Sequence, residues 1–274
     1  MKLEGGLRKN GISRTESLGK PLVSIVTIVY NGEAHIEKAI QSVVGQSYDP
    51  LEYIIVDGGS TDGTLDIIRK YEDRIDYWLS ESDEGISHAM NKGINLSNGN
   101  IIAHLHADDY YSDSSVVSSV QNAFAQNQEA CWLTGGIYIV SESGKPLIKI
   151  KVRDYSYKNL VKSNIILHPA TFIKRKSFNQ VGQFNPSLKY AMDYDLWIRL
   201  AGIGDPITLD KTLACFRAHS GSHSFSACDN AFIEEWQIRK KTLGKNPFKI
   251  PYYYLLYHIK KRENRNFYRR LVSK

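Results

Sequence analysis

The chain has 274 residues, 42 % hydrophobic and 23 % charged, with three cysteines and a formal net charge of +6. That composition suits one sizeable folded α/β domain and excludes a disulfide scaffold, a fibre and a disordered chain. The charge is unevenly placed: residues 238–274 hold 12 Lys/Arg against one acid, residues 1–20 carry +3, and the body between them is left with −8. An acidic body argues against nucleic acid as a partner. No apolar run reaches the ~20 residues of a membrane span, and a cytoplasmic, reducing setting is expected.

In chain order, residues 1–20 are polar and aperiodic, which predicts a loose lead-in. Val23–Tyr30 is a β-branched run stopped by Asn31-Gly32 and predicts a strand. Ile36, Ile40, Val43 and Val44 then share a helical face. Tyr53–Asp57 predicts a second strand, Gly58–Thr64 a loop, and Leu65, Ile68 and Tyr71 a helix. Tyr77–Leu79 follows as a third strand, then a helix face of Ile86, Met90, Gly93 and Ile94. Ile101–Leu105 predicts a fourth strand, and Val116, Val117, Val120 and Phe124 another helix. Such alternation predicts βαβ units and a mostly parallel sheet. Cys131–Val140 and Leu147–Val152 read instead as a hairpin, Asp195–Ala201 as a helix and Thr212–Arg217 as a last strand. The simplest division is a lead-in at 1–20, one domain at 21–225 and a basic, Tyr-rich helical tail at 226–274.

Ligands of open parallel sheets bind beyond the carboxyl ends of the strands, where the carboxylates of this chain fall. Asp57 closes the second strand, and Asp108-Asp109 follows the fourth. A paired Asp offers the hard oxygen donors that Mg²⁺ or Mn²⁺ prefers, or else simply starts a turn or caps a helix. The Asp57-Gly-Gly-Ser-Thr-Asp-Gly-Thr64 loop could present backbone N–H groups to a phosphate, or cap the next helix through Thr61 or Asp62. It is neither GxGxxG nor GxxxxGK[ST], so dehydrogenase and P-loop readings lose their support. His104, His106 and Asp108 would face one way on a strand and could meet zinc. That pattern is similar to the HxHxDH motif of metallo-β-lactamase-like hydrolases, with Asp109 where the last His would stand. Met192-Asp-Tyr-Asp195 sets two carboxylates before an apolar helix, one to cap it and one to face a cleft and accept a proton from a hydroxyl. His168, His219 and His223 lie outside the sheet pattern and read as hydrogen-bonded loop residues.

Four ordered stretches together resemble a family 2 glycosyltransferase of the GT-A fold, in the flavour of bacterial enzymes that build capsule, exopolysaccharide or O-antigen. They are Val23–Asn31, Ile55–Thr64, Ser80–Gly93 leading to His106-Ala-Asp-Asp109, and Met192–Leu200. The resemblance covers about residues 21–225 and implies an α/β, Rossmann-like mixed sheet flanked by helices. It also implies inverting transfer from a nucleotide-diphosphate sugar to a saccharide or lipid-linked acceptor, with Mn²⁺ or Mg²⁺ as cofactor. On it, Thr27, Tyr30 and Asp57 would line the nucleotide pocket, and Asp83, Asn91 and Lys92 would border the donor site. Asp108 and Asp109 would hold ribose and metal, His219 would stand near the diphosphate as a further metal-side residue, and Asp193 would be the general base. The chain departs from the family's frequent residues at Met192, Glu84, His88 and His106.

The tail mixes tyrosines with Lys/Arg from Asn246 onward, a composition that can lie on an anionic membrane surface or pack as a solvated helix on the core. Peripheral contact with the inner face of the membrane is the expectation it supports.

Overall fold

In the computed structural model, which describes residues 2–17, 19–152, 155–219, 228–244 and 249–272, the β-branched run Val23–Val29 forms strand β2 with all seven residues buried. Its side chains alternate between two cores. Val23 and Ile25 join one hydrophobic cluster and Val26 and Ile28 the other, so the strand is covered on both faces, as a central parallel strand must be. Helices α1 (Ile36–Val44), α2 (Thr64–Lys70) and α4 (Val116–Gln126) close the first cluster. Helices α3 (Ile86–Leu96), α6 (Arg175–Val181) and α7 (Met192–Ala201) close the second.

Beside β2 run β3 (Leu51–Asp57), then β4 (Tyr77–Ser80), and on its other side β5 (Ile101–His104), all parallel. The chain therefore leaves β2 toward β3 on one side and returns to β5 on the other. Such a switch in strand order is where open α/β sheets bind ligands, beyond the carboxyl ends of the strands. The rest of the sheet is mixed. In order it reads β1-β4-β3-β2-β5-β9-β7-β10-β6, with β8 beside β7. Here β1 is Leu3–Gly5, β6 Tyr110–Tyr111, β7 Trp132–Val140, β8 Pro146–Ile150, β9 Thr171–Lys174 and β10 Ile207–Arg217. The β7–β8 hairpin and the last strand stand where the sequence places them; β9, helix α5 (Tyr157–Lys162) and α6 occupy a stretch it left unassigned.

The lead-in is not loose. Leu3–Gly5 pairs antiparallel with β4, and Arg8 and Arg14 bind the buried carboxylates Glu52 and Asp76. Glu52 is fully buried and also accepts from Ser24 Oγ (2.5 Å) and from Asn98 N (2.7 Å) and Nδ2 (3.1 Å). Removing one partner of a buried ion pair leaves the others desolvated and unpaired. Glu52→Ala is thus expected to lower stability by about 3–5 kcal/mol in urea unfolding. A loss below about 1 kcal/mol would mean that Arg8 and Asn98 find water instead.

The basic tail is built in as well. Helix α8 (Cys228–Leu243) buries Ile238 in the second cluster and Arg239 against Val161 O at 2.6 Å. Helix α9 (Lys249–Val272) packs on α8 through Tyr254 and Tyr257, whose rings lie 5.2 and 5.6 Å from that of Trp236.

Candidate active site

The loops after β2 and β3 are laced together. Asn31, in the left-handed region at φ 50°, accepts from Thr61 N at 2.9 Å and donates its own N–H to Ser60 Oγ at 2.7 Å. Gly32 N reaches Thr64 Oγ1 (2.9 Å), and Gly63 N reaches Glu33 (2.9 Å). Buried Asp57 accepts from Gly59 N (3.2 Å), Ser60 N (3.0 Å), Ser80 Oγ (2.6 Å) and the Ser60 hydroxyl. The glycine-rich loop therefore spends these amides on Asp57, Glu33 and Asn31. The phosphate-cradle expectation is corrected: this loop shapes the end of β3, and Asp62 turns back onto Thr64 N (3.1 Å) where α2 begins.

A Cβ on Gly58 would come within 2.7 Å of Asp83 Oδ2 and 3.4 Å of Tyr30 Cδ2. The missing side chain leaves room for Asp83 and for exposed Tyr30 at the end of β3, next to Asp57. Asp83 is steadied by Gly85 N at 2.8 Å. Thr27 and Asn91 are not part of this group. Thr27 points into the core, fully buried, and its hydroxyl accepts from Tyr53 Oη at 3.0 Å. Asn91 clasps the backbone of Phe184, donating at 2.8 Å and accepting at 2.9 Å. Both corrections have one cause: polar side chains facing the interior must satisfy themselves there. Lys92 is held by Glu81 at 2.6 Å.

Strand β5 ends at His104, so the two-residue period that would align His104, His106 and Asp108 stops there. His104 turns inward to Met90 O at 3.2 Å, and burial depresses its pKa to about 3. The zinc-hydrolase alternative is thereby corrected. Asp108 Oδ2 lies 3.1 Å from His219 Nε2, and Asp109 Oδ1 accepts from Arg217 N at 3.1 Å. Burial would raise the Asp108 pKa, but the His219 hydrogen bond and the nearby His106 and His219 charges hold it low. For Asp109, burial and the Asp108 charge push the pKa well above the carboxylate range, only partly opposed by Arg217. Such a desolvated carboxylate pair fits a hard cation. Among the described residues no three or more His, Cys, Asp or Glu are placed to enclose a metal, so a cation there would complete its shell with phosphate oxygens and water.

Arg217, absent from the sequence-based site, organises this corner. It donates to Asp108 O at 3.1 Å and to Glu142 O, and lies over the Tyr110 ring. The rest of the His-Ser-Gly-Ser-His stretch after it, including His223, lies outside the described residues.

On α7, the two acids of the Met192-Asp-Tyr-Asp195 stretch have separate partners. Asp195 pairs with Arg199 at 2.8 Å, whereas Asp193 accepts from Asn164 Nδ2 at 3.2 Å and from Tyr194 N at 2.6 Å. Burial raises the Asp193 pKa, opposed by Tyr194 N–H, the Asn164 amide and the Trp197 indole. The start of α7 is capped from outside: Glu234 of α8 accepts from Lys189 N (3.0 Å), Tyr190 N (2.8 Å) and Ala191 N (2.9 Å). Beside it, burial pushes the Glu235 pKa up to about 7, against the pull of Arg239. Neither acid stood out in the sequence, because both sit in a helix beyond the last strand.

Comparison with known proteins bears on this arrangement. The pattern described as Glycosyl transferase family 2 matches residues 24–182. Uncharacterized glycosyltransferases of Rickettsia felis and Rickettsia bellii are 31 % and 33 % identical over 75 % and 76 % of this chain, which spans 36 % and 31 % of their length. TuaG of Bacillus subtilis, a glycosyltransferase named for teichuronic acid biosynthesis, is 29 % identical over 81 % of this chain and 86 % of its own. S. aureus TarS, solved with UDP-GlcNAc, has a TM-score of 0.66 at 18 % identity, over 86 % of this chain and 70 % of that one. The mannosyltransferase PcManGT of Pyrobaculum calidifontis, solved with GDP-Man and Mn²⁺, has a TM-score of 0.63 at 19 % identity, over 97 % and 79 %. Those two likenesses show the fold, a GT-A arrangement. With the family pattern covering more than half of the chain, the chain belongs to glycosyltransferase family 2.

Proposed function

We propose that the chain moves a sugar from a nucleoside-diphosphate donor, UDP- or GDP-linked, to a hydroxyl of a saccharide or lipid-linked acceptor, with inversion, in cell-surface polysaccharide synthesis. The observation that supports this is Asp193, a partly enclosed carboxylate on the first turn of α7 held by the Asn164 amide, in a chain whose buried Asp108-Asp109 pair stands just beyond the end of β5. In this reading Tyr30, Asp57 and Asp83 hold the nucleoside, and Lys92 borders the donor site. Asp108 meets the ribose side, and Asp109 would hold Mn²⁺ or Mg²⁺, with His219 reaching the same corner through Asp108. A cation bound there stabilises the charge that develops on the departing nucleoside diphosphate. Asp193 takes the proton of the acceptor hydroxyl as its oxygen attacks the anomeric carbon from the face opposite the leaving group. One displacement inverts the centre. Isothermal titration with UDP and with GDP, each with and without Mn²⁺, tests the reading. One nucleotide is expected to bind about tenfold tighter or more with the metal; no metal-dependent binding of either would overturn it.

The same reading places the protein at the inner face of the membrane. Tyr252, Leu255 and Ile259 recur on one face of α9 and are 52 %, 62 % and 45 % exposed, in a tail rich in Lys/Arg. No helix among the described residues is long and apolar enough to cross a membrane, so the contact would be peripheral. Full-length protein should co-sediment with vesicles containing phosphatidylglycerol but not with phosphatidylcholine vesicles. The pair Leu255→Asp and Ile259→Asp should release it, and unchanged binding would remove the helix from this role.

A further inference from the structure

Buried polar atoms in folded proteins nearly always have a hydrogen-bond partner, so an orphan calls for a physical cause. Nε2 of His168 and Nε1 of Trp197 are both buried and close no hydrogen bond. The two rings are neighbours, with centroids 5.9 Å apart. His168 also lies 4.9 Å from His106, and Phe184 flanks it at 6.2 Å. His106 precedes Asp108 by two residues, and Trp197 follows Asp193 by one helical turn. His168, set at the head of the short 3-10 turn His168–Ala170, thus touches both elements that carry the reaction.

The two orphans differ in kind. The Trp197 N–H stabilises the nearby Asp193 carboxylate without closing a full hydrogen bond, which accounts for it. Around His168 stand rings, those of His106, His104, Phe184 and Trp197. If the slot needed only an aromatic ring, phenylalanine would fill it without burying a polar nitrogen. Burial, with His106 and His104 close by, holds the His168 pKa well below the usual imidazole value. The neutral ring keeps one donor and one acceptor nitrogen. A hydroxyl-bearing ligand entering between the carboxylate pair and the base is what such a nitrogen lacks.

We propose that His168 recognises the transferred sugar, its Nε2 meeting a hydroxyl of the pyranose held between Asp108-Asp109 and Asp193. The inference rests on the glycosyl-transfer reading and adds to it a residue that discriminates between sugars. Sites built to hydrogen-bond a hydroxyl reject ligands that leave the buried group unpaired.

The test compares wild type, His168→Gln and His168→Phe for binding of UDP, GDP, UDP-glucose, UDP-GlcNAc and GDP-mannose in the presence of Mn²⁺. Bare nucleotide affinity should stay within about twofold in all three, while preference among the sugars should fall about tenfold in His168→Phe and less in His168→Gln. A purely packing role would lower the melting temperature and leave the sugar preference intact, and that result overturns the proposal. If His168→Phe does not fold, unchanged preference in His168→Gln alone overturns it. A wild type that binds bare nucleotide yet shows no preference among the sugars overturns this proposal alone. A wild type that binds no nucleotide fails the transferase reading first, and this inference with it.

Discussion

Asp193→Asn is expected to lower transfer by about 100- to 10,000-fold while donor affinity stays nearly unchanged, because a general base acts in the transition state and contributes little to holding the donor. The substitution keeps the shape and one acceptor oxygen, enough for Tyr194 N, while an amide replaces the oxygen that accepts from Asn164. The sign of its pH dependence follows from burial, which raises the Asp193 pKa. The base is charged only above that raised value, so wild-type activity should climb as pH passes through it. Stability runs the other way. A carboxylate whose folded pKa lies above its unfolded value contributes stability that is full below the unfolded value and is lost as pH rises through the folded one. Asp193→Asn should therefore gain melting temperature over wild type on the alkaline side, and the gain should vanish in acid. Transfer that survives the substitution would take Asp193 out of its role.

The central sheet was legible because both faces of β2, β3 and β5 are buried, and buried strands write themselves as apolar runs. The motif carboxylates were legible for a related reason: turns at strand ends need Gly, Asn and Asp in a fixed order. Their individual duties were not. Thr27 and Asn91 sit beside the right neighbours in sequence yet point inward, because the register of β2 and the docking of Phe184 on α3 decide where they face. The lead-in escaped notice since β1 has only three residues and its anchors are charge pairs with partners 44 and 62 residues away. The contribution of α8 was hidden similarly. Glu234 caps a helix more than 40 residues upstream, and no local periodicity records that contact.

Asp109→Asn should abolish the manganese dependence of nucleotide binding, a loss of about tenfold or more in affinity measured with the metal present. Asp109 is 3 % exposed and stands next to a second carboxylate, an arrangement that burial alone penalises and a divalent cation would relieve. The asparagine keeps an oxygen for Arg217 N, so the corner held by Arg217 should remain folded. Two opposite shifts in melting temperature then identify the role. Without metal, the variant should melt higher than wild type, because one buried negative charge is gone. With Mn²⁺ and the preferred nucleotide, wild type should gain stability by linkage and the variant should not. A variant that melts lower without metal, yet keeps the full ligand-induced gain, would show Asp109 to be a structural acceptor for Arg217 and would move the cation to Asp108 and His219.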